Sequence, residues 1–149
     1  MSMQSLYQDL IIEHSKRPVG AGLREPFEVE VHHVNPTCGD EVTLRVHLEG
    51  EKIADISYDA LGCSISVAGS SVMADSVTGG SVDEAMQRYE DVRAMLHDRT
   101  GQPDPDKLGD AVAFAGVAKF PARVKCALLG WAAMRDALVQ ALDKTGESA

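Results

Sequence analysis

No stretch of this sequence approaches the roughly 20 consecutive apolar residues that a membrane-spanning helix needs. The first 18 residues, MSMQSLYQDLIIEHSKRP, hold no long apolar core and carry acids early, so they are not expected to act as an export signal. Basic residues are in deficit: 14 Lys and Arg stand against 23 Asp and Glu, for a net charge of −9. A surface built for nucleic-acid phosphates wants the opposite balance. Cysteine is scarce and odd in number. Three widely spaced residues with no CxxC pair argue against a disulfide framework. There is no P-loop, no HExxH, no Gly-x-Ser-x-Gly and no EF-hand loop. Internal repeats and low-complexity tracts are missing as well. The remaining expectation is a cytoplasmic chain with reduced thiols that binds neither nucleic acid nor a membrane. Its acidity suits a basic patch on a protein partner, and its 149 residues suit one domain, 1–149.

Periodicity places the elements. Leu6, Tyr7, Leu10, Ile11 and His14 recur at helical spacing over 5–15, and Pro18 ends the pattern; VGAG (19–22) reads as a loop. Phe27, Val29 and Val31 alternate with Glu28, Glu30 and His32. Val42, Leu44, Val46 and Leu48 do the same without a break, and Ile53, Ile56 and Tyr58 give a less regular third strand. Glu49-Gly50-Glu51 is a hairpin turn between the second and third. One buried face on an antiparallel meander follows. After Gly62 the pattern becomes helical over 65–78, with Val67, Val72, Met73 and Val77 as the packing side. Ser81 and Glu84 form a capping box for a helix reaching residue 97. Residues 98–110 are a Pro/Gly/Asp loop, with a short helix expected over 108–116. Pro121 suits the first position of a last helix whose stripe is Val124, Leu128, Trp131, Leu138 and Leu142. The tail KTGESA is expected to be loose. The fold class is therefore α+β, a three-stranded antiparallel sheet packed against several helices.

The three thiols sit at junctions between elements. Cys38 and Asp40 lie in NPTCGD, between strands one and two. Cys63 follows strand three, at the start of a helix, where a thiolate is favoured. Cys126 lies in the first turns of the last helix. In an up-down-up meander the exits of strands one and three share one end of the sheet, so Cys38, Asp40 and Cys63 become neighbours. Cys126 joins them if the last helix starts at that end. Three thiolates and a carboxylate fill the tetrahedral shell that zinc prefers. Gly39 lets the chain bend between two of them. Four anionic donors on one divalent cation leave a formal excess of two negative charges, and Arg123 and Lys125 flank Cys126 as candidate partners for it. Core packing is the ordinary fate of a free cysteine, and that reading stands beside the metal site at this point. His32 and His33 point to opposite strand faces and cannot chelate together. His14, His47 and His97 read as surface residues, and Leu6, Leu10 and Ile11 as core.

These residues closely resemble the U-type iron–sulfur cluster assembly proteins, and within them the SufU branch of sulfur carriers. LYQDLIIEHSKRP resembles the family's N-terminal segment, NPTCGD its first ligand loop and GCSIS its second. RVKCALLGWAAMRDAL resembles the third-cysteine helix of the SufU branch. The resemblance implies a SufE/IscU-like α+β domain with an insertion around 79–119, and Zn2+ held by Cys38, Asp40, Cys63 and Cys126. It implies a sulfurtransferase role, with a pyridoxal-phosphate cysteine desulfurase of the SufS type as donor and a SufB-type scaffold complex as acceptor. Cys38, on a loop that can swing free, is the expected sulfur acceptor, with Arg123 and Lys125 beside it. One departure separates branches. The scaffold branch, of the IscU type, has a histidine directly before its last cysteine, and this chain has Lys125, whose protonated amine is a poor iron ligand. Gly69 and Ser70 depart slightly from the commoner pattern after the second cysteine.

Overall fold

Strict alternation in the first two strands builds a sheet with one apolar face. In the computed structural model, which describes residues 3–98 and 103–146, β1 (Val29–Asn35), β2 (Asp40–Glu49) and β3 (Lys52–Leu61) form an antiparallel meander in the order β1-β2-β3. Val29 and Val31 of β1 and Val42, Leu44 and Val46 of β2 are buried on the same side. Full burial of such side chains is worth about 1.5–3 kcal/mol each. The irregular spacing of the third strand has a structural cause. His47 pairs with Asp55 and Leu48 with Ile53, so Ala54 is an extra residue at a β-bulge. The bulge resets the alternation and lets Ile53 and Ile56, three apart, both reach the core. Gly50, at φ 65°, turns the chain between β2 and β3.

The helices cover the apolar face. They are α1 (Met3–Lys16), α2 (Ser64–Val77), α3 (Val82–Leu96), the short α4 (Pro105–Leu108) and the long α5 (Pro121–Gly146). Helix α5 packs on β1 and β2, α2 on β3, and the two helices pack on each other; α1 lies on α2. The Ser81 hydroxyl accepts from Glu84 N–H at 3.1 Å and Glu84 accepts from Ser81 N–H at 3.0 Å, completing the expected capping box of α3. Among the described residues no helix is long and apolar enough to cross a membrane.

Several local expectations are corrected. The short helix over 108–116 is instead a 3₁₀ segment, Gly109–Lys119, preceded by α4. Asp104 caps α4 by accepting from Asp106 N–H, and Gly109, at φ 57°, stops it. The VGAG loop lies along the free edge of β3: Gly22 N–H donates to Tyr58 O at 2.8 Å, and Ala21 bridges Tyr58. Leu142 is 41% exposed, because Ala141 takes the inward position and Leu142 lies about 100° further round the helix. Lys144 to Gly146 continue α5 rather than fraying; the rest of the KTGESA tail lies outside the described residues. Tyr7 and Ile11 pack against the core and Leu10 is half-buried; the side chain of Leu6 lies outside the described residues.

The contact between α2 and α5 explains the small residues at 69 and 70. A Cβ on Gly69 would stand 2.7 Å from Ala127 O, and one on Gly130 would overlap Ser70 Oγ and stand 2.9 Å from Ser70 Cα. These are backbone collisions, so the axes are as close as glycine permits. Gly130→Ala is therefore expected to lower stability by about 1–3 kcal/mol through overpacking, even after the helix-propensity gain of about 1 kcal/mol. Gly116→Ala, facing open space, is the control. Urea midpoints read the difference, and equal midpoints for the two variants would refute the tight contact.

Candidate metal centre

Strand register brings the first donors together. Asn35, the last residue of β1, pairs with Asp40, the first of β2; Glu41 pairs with Leu61, two residues before Cys63. The chain between them is a tight turn. Asn35 O accepts from Cys38 N–H at 3.2 Å and Gly39 N–H at 2.8 Å, Asn35 Oδ1 accepts from Thr37 N–H at 3.2 Å, and Gly39 takes φ 74°. That turn holds Cys38 out in solvent. Asp40 is 1% exposed. Its Oδ1 accepts the backbone N–H of Cys63 at 3.0 Å, and Cys63 Sγ lies 3.8 Å from its Oδ2. Cys63 itself is the N-cap of α2.

The first turns of α5 supply the third thiol. Cys126 is 0% exposed, and its Sγ lies 3.1 Å from Cys38 Sγ. Single donor atoms of Cys38, Asp40 and Cys126 all lie within 4.8 Å of one another. Cys63 joins this cluster at its edge, through Asp40. The Cys126 thiol is pushed far up, first by burial, then by hydrogen bonding with Cys38 and Asp40 and by the negative charges of Cys63 and Asp40. The site collects more negative charge than it can hold without a cation or protons.

The donor set fits zinc. A tetrahedron with Zn–S of about 2.3 Å has S···S edges of about 3.8 Å, and with an oxygen ligand at about 2.0 Å, S···O edges of about 3.5 Å. The Cys63–Asp40 separation is already near the second value. The Cys38–Cys126 pair must open slightly and Cys63, outside the group of donors within 4.8 Å, must draw in; Cys38 sits on an exposed turn that can accommodate its part of the change. Three sulfurs and one carboxylate are a soft-dominated set, which selects zinc or iron over calcium or magnesium.

The flanking cations stand elsewhere. The side chains of Arg123 and Lys125 are exposed, and among the described residues neither forms an ion pair with Asp40. Lys125, one residue before the inward-facing Cys126, is carried about 100° round the helix, and Arg123, one turn before it, lies in the exposed N-terminal end of α5, where 121–123 all face solvent.

Two residues escaped the sequence reading. Asn35 is buried and donates from Nδ2 to Cys126 Sγ at 3.7 Å while its Oδ1 braces the Cys38 turn. Its signal was a polar residue at an inward position of β1, directly before proline. Gly62 is the second. A Cβ there would overlap Asp40 Oδ1 and stand 2.7 Å from its Cγ. The absent side chain is the space in which the carboxylate lies. His14, expected at the surface, is buried instead. His32 and His33 do diverge, toward Glu41 and Asp136 respectively.

Comparison with known proteins adds the family. Residues 6–127 match the NifU-like N terminal domain. The chain is 41% identical over 138 residues to the iron–sulfur cluster assembly scaffold protein IscU of Streptococcus pyogenes, covering 91% of this chain and 84% of that one. It is 36% identical over 134 residues to the zinc-dependent sulfurtransferase SufU of Bacillus subtilis, covering 89% of each. The crystal structure of a putative iron–sulfur cluster assembly scaffold protein for the SUF system from Fervidobacterium islandicum superposes with a TM-score of 0.79 at 32% identity, over 92% of this chain and 99% of that one.

Gly62→Ala tests the geometry without removing a donor. The methyl group displaces the Asp40 carboxylate, so zinc affinity should fall at least about tenfold, or roughly 1.4 kcal/mol, with the fold retained by circular dichroism. Competition with a chromogenic chelator measures it. Unchanged affinity would remove Asp40 from the donor set.

Proposed function

The chain belongs to the NifU-like N-terminal domain family of iron–sulfur cluster assembly proteins, and within it we propose that this protein is a zinc-dependent sulfur carrier. The observation that carries this reading is the asymmetry of the cluster: Cys126 is sealed in the core, whereas Cys38 is held on an exposed turn 3.1 Å away. A carrier needs one thiol that a donor can reach and anchors that stay behind. Cys126, Cys63 and Asp40 are those anchors, set in α5, at the start of α2 and at the start of β2.

The donor is a pyridoxal-phosphate cysteine desulfurase carrying a persulfide. The Cys38 thiolate attacks the outer sulfur of that persulfide. A new S–S bond forms on Cys38, the old S–S bond breaks, and its electron pair leaves with the desulfurase thiolate. No external oxidant or reductant enters. A thiolate of a SufB-type cluster-building scaffold then attacks that outer sulfur, the S–S bond on Cys38 breaks, and its electron pair returns to Cys38 as the leaving thiolate. Zinc, when held by Cys38, Asp40, Cys63 and Cys126, keeps the thiols deprotonated and ties the loops that carry them. Asn35 steadies the turn and donates to Cys126 Sγ. Arg123 and Lys125 stand in solvent on the first turns of α5, where they can meet the charge of Cys38 when the turn moves.

A protein donor also needs a surface. Val34, Glu41 and Leu61 are paired in one row across the strands, on the solvent face one step from the Asp40 pairing, and both apolar residues are exposed. Phe120 is exposed across the site, two residues from Ala122, whose carbonyl lies 3.9 Å from Cys38 Sγ. Apolar contacts flanking the acceptor thiol suit transfer in a dry interface. The α3 to 3₁₀ region fills the insertion, 79–119, of a single domain.

The rival reading is a scaffold on which a cluster is built, and the streptococcal relative bears that name. Lys125 stands where the scaffold branch has a histidine, which favours the carrier. One preparation decides between them. Incubated with a cysteine desulfurase and cysteine, the zinc form should accelerate desulfuration and gain a persulfide mapped by mass spectrometry to Cys38. Cys38→Ser should lose both. A stoichiometric cluster formed from iron and sulfide and transferred intact to an apo-ferredoxin, with no desulfurase activation, would favour the scaffold.

A further inference from the structure

A second group of donors lies away from the thiols. His14 of α1, Asp75 of α2 and Asp110 of the 3₁₀ segment each offer one atom, and these atoms lie within 4.8 Å of one another. The two carboxylates are exposed, whereas His14 is 8% exposed. The imidazole is oriented from behind. Its Nδ1 lies 2.6 Å from Ser71 Oγ. That oxygen accepts from Val19 N–H at 2.8 Å, and the Tyr58 hydroxyl donates to Val19 O at 2.7 Å.

Ser71 Oγ holds the ring on its Nδ1 side, so Nε2 is the nitrogen turned toward the carboxylates. A ring anchored through one nitrogen and presenting the other is how ligating histidines are held. The Nε2 to Asp110 Oδ2 separation is 3.5 Å. That is long for a charge-assisted hydrogen bond, about 2.7–2.9 Å. It lies near the separation of adjacent ligands around one metal ion, about 3.0 Å in an octahedron and about 3.4 Å in a tetrahedron with bonds of about 2.1 Å.

We propose that His14, Asp75 and Asp110 form a second metal site, for a divalent first-row cation of the Mn2+ or Fe2+ kind, with its remaining positions open to water. One imidazole and two carboxylates, with no sulfur, prefer such ions to the thiophilic metals of the cysteine cluster. The site joins α1, α2 and the 3₁₀ segment, so occupancy also clamps the 79–119 region to the N-terminal helix. It is independent of the sulfur-carrier reading.

Mn2+ is the probe, because it competes poorly for thiolates. Titrated into the protein as purified and followed by loss of the free-ion electron paramagnetic resonance signal, one Mn2+ per chain should bind. Asp75→Asn with Asp110→Asn, both at exposed positions, should weaken binding at least tenfold. Asp59→Asn with Glu90→Gln, exposed acids elsewhere, should leave it unchanged. The bound ion should show electron spin-echo modulation from a coordinated imidazole nitrogen, lost in His14→Gln. No Mn2+ binding, equal affinity in the two double variants, or a bound ion without nitrogen modulation would each overturn the site and leave His14 as a hydrogen-bonded clamp between helices.

Discussion

Asp40 is a carboxylate at 1% exposure whose one oxygen accepts the N–H of Cys63 and whose other faces the Cys63 sulfur. Burying a charge this deeply costs several kcal/mol unless it is met by donors or a cation. The surrounding architecture serves that need. The β1-β2 pairing sets Asp40 beside Asn35, the β2-β3 pairing brings the end of β3 to its other side, and Gly62 leaves the volume the carboxylate fills. The close approach of α2 and α5, permitted by Gly69 and Gly130, then fixes the distance between the start of α2 and Cys126. The candidate metal centre is thus the place where the sheet end and two helix starts are joined.

The same crowding gives the site its chemistry. Burial and neighbouring charge drive the Cys126 thiol upward, so the pocket resists ionising unless a divalent cation neutralises it. Cys38 escapes that constraint because its turn stands in solvent and is held by backbone hydrogen bonds within 35–39 rather than by core packing. A cluster with one loose and three fixed donors suits exchange at the loose one. The exposed apolar row at Val34 and Leu61, with Phe120 opposite, is where a partner would close over it.

Much of this was legible in the sequence because it rests on periodicity and connectivity. Alternation gave the strands, the Ser81–Glu84 pair gave the start of α3, and the parity of a meander placed Cys38, Asp40 and Cys63 at one end. What escaped was tertiary. The bulge at Ala54 shows only as an uneven Ile53–Ile56 spacing until the pairing is known. Gly62 and Gly130 matter through atoms they lack, and nothing local marks them. Arg123 and Lys125 look poised over the site from their proximity to Cys126, yet helical rotation carries Lys125 to solvent and Arg123 lies in the exposed first turn of α5. His14 reads as a surface residue on a short amphipathic helix, and only the packing of α1 on α2 and the 3₁₀ segment buries it. The 3₁₀ winding of 109–119 had no signature in a run of small residues.

The account stands on one mixed donor set, in which the carboxylate of Asp40 completes a shell begun by three sulfurs. X-ray absorption at the zinc edge of the protein as purified reads that shell directly. The account predicts three sulfur scatterers at about 2.3 Å and one oxygen at about 2.0–2.2 Å, with the oxygen shell altered in Asp40→Ala and the sulfur count reduced to two in Cys126→Ser. A shell made only of nitrogen and oxygen, or one unchanged by both substitutions, would contradict it.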